Sequence, residues 1–151
     1  MAVFYVAFDF GSVDGPSMLP NLLEVDGLLI TKGYRQPHRG DIVVLGITGQ
    51  NGRPAEIVKR VVGIAGDRVE IRNDVAYVNG VAESGYRVYV GAPGRGDDAG
   101  AITVPPGSIY VMGDNRPVSY DSRYVGPQPL SSVRGRVAAI YMPVTRWRVV
   151  R

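Results

Sequence analysis

Residues 55–80 read AEIVKRVVGIAGDRVEIRNDVAYVNG, and this stretch decides the fold class. Branched residues dominate three short runs, 55–64, Arg68–Arg72 and 75–79. Such side chains are restricted in a helix and pack well on a pleated surface, so each run reads as a strand. Gly66-Asp67 breaks the first run from the second, and Asn79-Gly80 ends the third with a strong hairpin-turn pair. The same texture continues on both sides. Gly27–Lys32 (GLLITK) and 41–45 (DIVVL) precede the stretch; 87–90 (RVYV), Ser108–Met112 (SIYVM) and 136–142 (RVAAIYM) follow it. Helical periodicity is confined to a turn or two at 20–24 and 130–133. Residues 91–100 (GAPGRGDDAG) read as a loop tip. The expected fold is all-β, mainly antiparallel, with little helix.

Composition agrees with that reading. Gly (20) and Pro (11) make up about a fifth of the 151 residues, which argues against a bundle of long helices. Apolar residues at 45% and charged residues at 21% exclude disorder as the main state. The absence of cysteine removes disulfides, zinc knuckles and thiol catalysis. A Ser-His-Asp mechanism would have to use the single histidine, His38, which reads as a surface residue in a turn entering a strand. The net charge of +3 is scattered along the chain, so no nucleic-acid partner is expected. Residues 2–8 (AVFYVAF) are continuously apolar but far short of the roughly 20 needed to cross a bilayer. They read as a buried strand or as the stub of a membrane anchor.

Three segments carry polar chemistry. In Val13-Asp14-Gly15-Pro16-Ser17-Met18-Leu19-Pro20 two prolines restrict the chain around one hydroxyl, and Gly15 allows close backbone approach. This can be a rigidly presented Ser17 or a plain turn. In the second segment Lys59 interrupts an apolar run. Only two of the 17 basic residues are lysines, Lys32 and Lys59, and lysine can lose its proton when desolvated where arginine cannot. Lys59 is either that kind of residue or an ordinary exposed lysine on a half-buried strand. The third segment, 113–126 (GDNRPVSYDSRYVG), is dense in polar side chains after an apolar strand. It can support a site or simply satisfy its own turns.

Taken together and in this order, these segments resemble the type I signal peptidase family of membrane-bound serine proteases. The family pattern runs S-M-x-P-T-L, R-G-D-I-V, K-R-V-x-G-x-x-G-D and G-D-N-R-x-x-S-x-D-S-R-x-x-G. This chain has Ser17-Met18-Leu19-Pro20-Asn21-Leu22, Arg39-Gly40-Asp41-Ile42-Val43, the run from Lys59 to Asp67 and the run from Gly113 to Gly126. The resemblance implies a signal peptidase/LexA-like β fold. A catalytic core would comprise 1–72 and 107–151, with 1–10 as a possible anchor stub, and 73–106 would form a small β insertion or cap.

The resemblance also implies roles. Ser17 would be the nucleophile and Lys59 the general base; Ser119 would hydrogen-bond and orient the lysine. Asp121 and Arg123 would form a supporting ion pair, and Arg60 and the 113–116 turn would be structural. Substrate would add as a strand between about 11–15 and 55–58. Shallow pockets lined by Val13, Met18, Leu22, Leu28, Val44, Ile57 and Val58 would admit small side chains of an Ala-x-Ala signal. Asp121 should pair with Arg123 and not with Lys59, because a carboxylate touching the amine would favour its charged form.

No metal or cofactor is expected. The implied partners are signal peptides of secretory precursors and a membrane surface. The implied location is the cytoplasmic membrane, with the catalytic domain on its extracytoplasmic face and this chain a soluble fragment. Three departures stand out: Gly15 where many members carry an oxyanion-binding serine, Asn21 in place of threonine, and no N-terminal anchor.

Other readings are an inactive peptide-binding β domain and a related Ser/Lys maturation peptidase. A self-cleaving repressor-type peptidase would need a DNA-binding domain before Ser17.

Overall fold

The computed structural model describes residues 7–151, so most of the 2–8 segment, and the anchor reading attached to it, lies outside the described residues. In chain order the strands are β1 (Phe8–Ser12), β2 (Gly27–Lys32), β3 (Ile42–Thr48), β4 (Pro54–Ile64), β5 (Arg68–Arg72), β6 (Val75–Val78), β7 (Val81–Ala82), β8 (Ala99–Thr103) and β9 (Ser108–Met112). A short helix α1 (Ser122–Val125) follows, then β10 (Gln128–Pro129), β11 (Val133–Met142) and β12 (Arg148–Val149). The larger sheet runs β1-β2-β11-β3-β4-β9-β10, with β12 paired to β11; the smaller runs β7-β6-β5-β8. All ladders between these strands are antiparallel. The chain is therefore all-β and mainly antiparallel, as its branched runs and turn residues predict.

Alternation explains how the strands pack. On β3, Ile42 and Val44 face one apolar cluster with Leu28, Ile30 and Val137. Val43 and Leu45 point to the opposite face, against Val61 and Ile109. A third cluster, including Val62, Val69, Ile71 and Met112, joins the two sheets. The second sheet begins at Arg68, five residues before the 73–106 insertion expected from sequence. Asn79 and Gly80 turn β6 into β7 with φ of 51° and 82°, the backbone of the hairpin turn that this pair favours.

Strand β4 positions the site. Its first half, from Pro54 to Arg60, pairs with β3, and its second half, from Arg60 to Ile64, pairs with β9. Among the described residues the outer edge of 54–59 carries no strand. Among the described residues strand β1 pairs only with β2, so its outer edge carries no strand there either.

Several expectations are corrected. Residues 87–90 form no strand: Tyr89 alone bridges to Asn115, and both Tyr89 and Val90 are exposed, with no sheet face to bury. Residues 20–24 remain a turn, whereas Leu130–Ser132 is a single 3₁₀ turn. Helix α1 arises inside the polar 113–126 segment. Asp121 caps it by accepting a bond from the Arg123 N–H at 3.2 Å, and Gly126 ends it. Strand β8 begins within what reads as a loop tip, because its pairing with β5 overrides the Ala-Gly composition.

Candidate active site

Ser17 lies on a compact turn between β1 and β2. The turn closes with bonds from Leu19 N–H to the Pro16 carbonyl and from Leu22 N–H to the Met18 carbonyl, at 3.2 and 3.0 Å. The 113–116 segment holds it from outside. Asn115 donates its backbone N–H to the Ser17 carbonyl (2.9 Å) and its side-chain amide to the Pro16 carbonyl (3.1 Å). Gly15 has φ of +83°, a left-handed conformation that suits glycine, and faces open space. The Ser17 N–H makes no backbone or side-chain bond among the described residues.

Lys59 reaches the same point from the middle of β4. Its Nζ donates to Ser17 Oγ at 2.7 Å. Lys59 is 4% exposed, while Ser17 is half-buried and open to the cleft. Burial pushes the Lys59 pKa down from 10.5 to about 8. Arg123 pushes in the same direction, and Asp121 and Asp114 oppose it more weakly than burial acts. A hydroxyl next to an amine so perturbed can pass it a proton.

Asp121 is engaged elsewhere. It accepts bonds from Arg123 Nε (3.0 Å), Gly113 N–H (3.0 Å) and Ser119 Oγ (2.7 Å). Ser119 does not bond to Lys59, which corrects the role expected for it. Its hydroxyl accepts from Gly113 N–H at 3.1 Å and donates to the Asp121 carboxylate, a charged and therefore strong acceptor. The loop packs tightly: a Cβ on Gly113 would lie 2.2 Å from Ser119 Oγ and 2.6 Å from the Ser17 carbonyl oxygen.

Behind this loop runs a buried polar chain, which gives Arg60 and the 113–116 turn the structural role the resemblance implies. Arg60 pairs with Asp114 through two bonds of 2.8 and 2.7 Å and stacks over Tyr86 at 4.0 Å. Tyr86 donates to Glu83, and Glu83 pairs with the fully buried Arg116 at 2.5 and 2.7 Å. Arg116 donates to the Gly113 carbonyl at 2.8 Å. Asn21 donates to Asp114 at 2.7 Å and to the Arg87 carbonyl at 2.6 Å, tying the Ser17 turn to the same chain. Glu83 and Tyr86 carry no local signal in sequence, since each matters only through partners distant in the chain.

A cleft of about 320 Å³ opens beside Ser17 and Lys59. The 11–14 backbone forms one wall and 56–59 the other; Met18, Leu28, Ile30 and Val44 lie beneath. Val13, Ile57 and Val58 also line it, but Leu22 does not. Leu22 is wholly buried in the cluster below, and Ile30, unnamed by the sequence reading, takes its place on the floor. His38 lies apart, with its side chain 77% exposed beside Asp41.

Known proteins are similar to this chain in sequence and fold. The family model described as signal peptidase, peptidase S26, matches residues 1–142. Signal peptidase I of Bacillus caldolyticus is 35% identical over 145 residues, covering 87% of this chain and 78% of that protein. Signal peptidase I S of Bacillus subtilis (strain 168) is 34% identical over 148 residues, covering 90% and 78%. The crystal structure of a signal peptidase I from Enterococcus faecalis V583 superposes with a TM-score of 0.54 at 32% identity, covering 70% of this chain and 99% of that one.

Proposed function

The chain belongs to the signal peptidase family, peptidase S26, and on that premise we propose that Ser17 and Lys59 form the catalytic pair of a peptidase that removes signal peptides after small residues. The observation that carries this reading is the 2.7 Å contact between Ser17 Oγ and a buried amine with a pKa of about 8. Ser17 Oγ attacks the scissile carbonyl carbon as Lys59 Nζ takes its proton. The C–N bond breaks, the proton passes to the leaving amine, and an ester remains on Ser17. Lys59 then takes a proton from water, whose oxygen attacks the ester and releases the acid; the proton returns to Ser17. The free Ser17 N–H is the first oxyanion donor, and Gly15 has no side chain to add another.

Substrate adds as an extended strand between the free edges of β1 and β4, supplying the bonds those edges lack. Val13, Met18, Leu28, Val44 and Val58 leave a shallow apolar floor, which favours alanine-sized side chains at alternate positions. The precursors are exported proteins met at a membrane, with this catalytic unit on the extracytoplasmic face of the cytoplasmic membrane. Among the described residues no helix is long and apolar enough to cross it.

The test is cleavage of a signal-sequence peptide in detergent between pH 6 and 10. Cleavage after the small residue should fall by about 1000-fold or more in Ser17→Ala and in Lys59→Ala, the scale of losing one member of a catalytic unit, and survive in His38→Ala. Retained cleavage in Lys59→Ala would sink the mechanism.

A further inference from the structure

The floor of the cleft changes character at the end away from Ser17. On β2, Leu28 and Ile30 face the cleft, and Lys32 follows at the same period of two. On β4, Val58 is succeeded on the same face by Glu56; on β1, Gly11 is preceded by Asp9. Between them, Arg134 of β11 donates to Glu56 at 2.5 Å and to Asp9. Lys32 stands 3.9 Å from Asp9. The two strands whose free edges flank the cleft are thus joined across its far end by one guanidinium. Four charges stand beyond the apolar floor there, and Glu56 among them lines the cleft. Nothing in the catalytic chemistry uses them.

We propose that Arg134, held between Asp9 and Glu56, determines specificity at the fifth substrate residue upstream of the cleaved bond, admitting a polar side chain and rejecting a large apolar one. The inference rests on the Ser17/Lys59 reading and on substrate lying between β1 and β4. An extended strand turns alternate residues to one face, so the first, third and fifth residues upstream face the floor. The first and third meet Leu28, Val44 and Val58. Glu56 lies two residues beyond Val58, one strand period further, and so meets the fifth. Glu56 and Lys32 are about half exposed, and Asp9 and Arg134 about a third. A polar substrate group can exchange for one of these weakly held partners. A leucine would cover the charges without replacing any bond.

The experiment compares kcat/KM for two signal-sequence peptides that differ only in Gln or Leu at the fifth residue. The full chain should prefer Gln by about tenfold, the scale of one polar contact left unmade. The double variant Arg134→Leu/Glu56→Leu should bring the ratio to about one or reverse it, and Arg134→Lys should retain it. The ratio for Ala against Val at the first residue should stay unchanged throughout. Each ratio is internal to one variant, so partial unfolding does not move it. A wild-type ratio near one, or a Gln preference that survives in the double variant, would overturn the proposal. Wild-type cleavage that persists in Ser17→Ala would overturn the catalytic reading instead, and the groove assignment would fall with it.

Discussion

A lysine left in water is neutral in about 0.04% of molecules at pH 7, whereas one with a pKa of about 8 is neutral in roughly 10%. Activity that depends on the neutral amine should therefore rise with pH and level off above about 8, read as kcat/KM from pH 6 to 10. The same burial weakens the fold. Between pH 8 and 10.5 the unfolded chain holds a proton on Lys59 that the folded chain has lost, so stability rises with pH across that window. Below it the whole penalty applies. At about 1.4 kcal/mol per pH unit the penalty is about 3 kcal/mol. Lys59→Met should thus be inactive yet more stable than wild type at pH 7, by up to that amount. The difference should shrink towards pH 10 in urea unfolding. Glycines on either side of the site should part company. Gly113→Ala has no room between Ser119 and Ser17 and should abolish cleavage. Gly15→Ala meets nothing, and should cost only the roughly 1–2 kcal/mol of a left-handed backbone.

At the scale of elements, the polar loop after β9 and the hairpin β6–β7 are locked by charge rather than by apolar contact. Arg116 is wholly buried, and its partner Glu83 nearly so. Burial pushes the Glu83 carboxyl up, but its bonds to Arg116, Ala76 N–H and Tyr86 hold it below the ordinary value. Removing one member of such a pair strands the other, which typically costs about 3–5 kcal/mol. Glu83→Gln should destabilise the chain on that scale. The double variant Glu83→Leu/Arg116→Met should recover much of the loss, since neither charge is then left alone. Equilibrium unfolding of wild type, Glu83→Leu, Arg116→Met and the double variant closes a double-mutant cycle that measures the coupling. Because Arg116 also holds the Gly113 carbonyl, the single variant should lower kcat as well.

Across the whole molecule, ion pairs set how stability depends on pH. The Arg39 guanidinium holds the Asp67 carboxyl at about 2, against an ordinary 3.8. Burial pushes Asp26 up, yet its bonds to Arg146 and Leu23 N–H bring it below its usual value. Carboxylates lowered in this way stabilise the fold above the unfolded value and lose that contribution as pH falls through the folded one. Urea midpoints should therefore be level from about pH 5 to 8, drop between about 4 and 2, and climb above 8 as Lys59 gives up its proton. A profile with no decline below pH 4 would contradict these pairings.

Local chemistry was enough to recover most strands, since branched runs and the Asn79-Gly80 turn act through near neighbours. It left Ser17 open against a plain turn and Lys59 against an exposed lysine; the roles of Ser17, Lys59, Asp121 and Arg123 came from four ordered motifs and the family they resemble. Residues 87–90 misled, because branched residues pack as a strand only where a sheet face receives them. Ser119 was marked but misassigned: which acceptor its hydroxyl takes depends on Asp121 and Gly113 arriving together. Glu83, Ile30 and Arg134 carried no signal, since each acts on a partner far away in sequence. The amino-acid sequence alone thus determined the all-β class, through propensities carried by each short segment, and the ordered motifs that carry the family resemblance. Only the tertiary structure decided that the Lys59 amine is desolvated, that it meets Ser17 at 2.7 Å, and that two free strand edges face one cleft. Burial and distance are properties of segments brought together, and no segment holds them by itself.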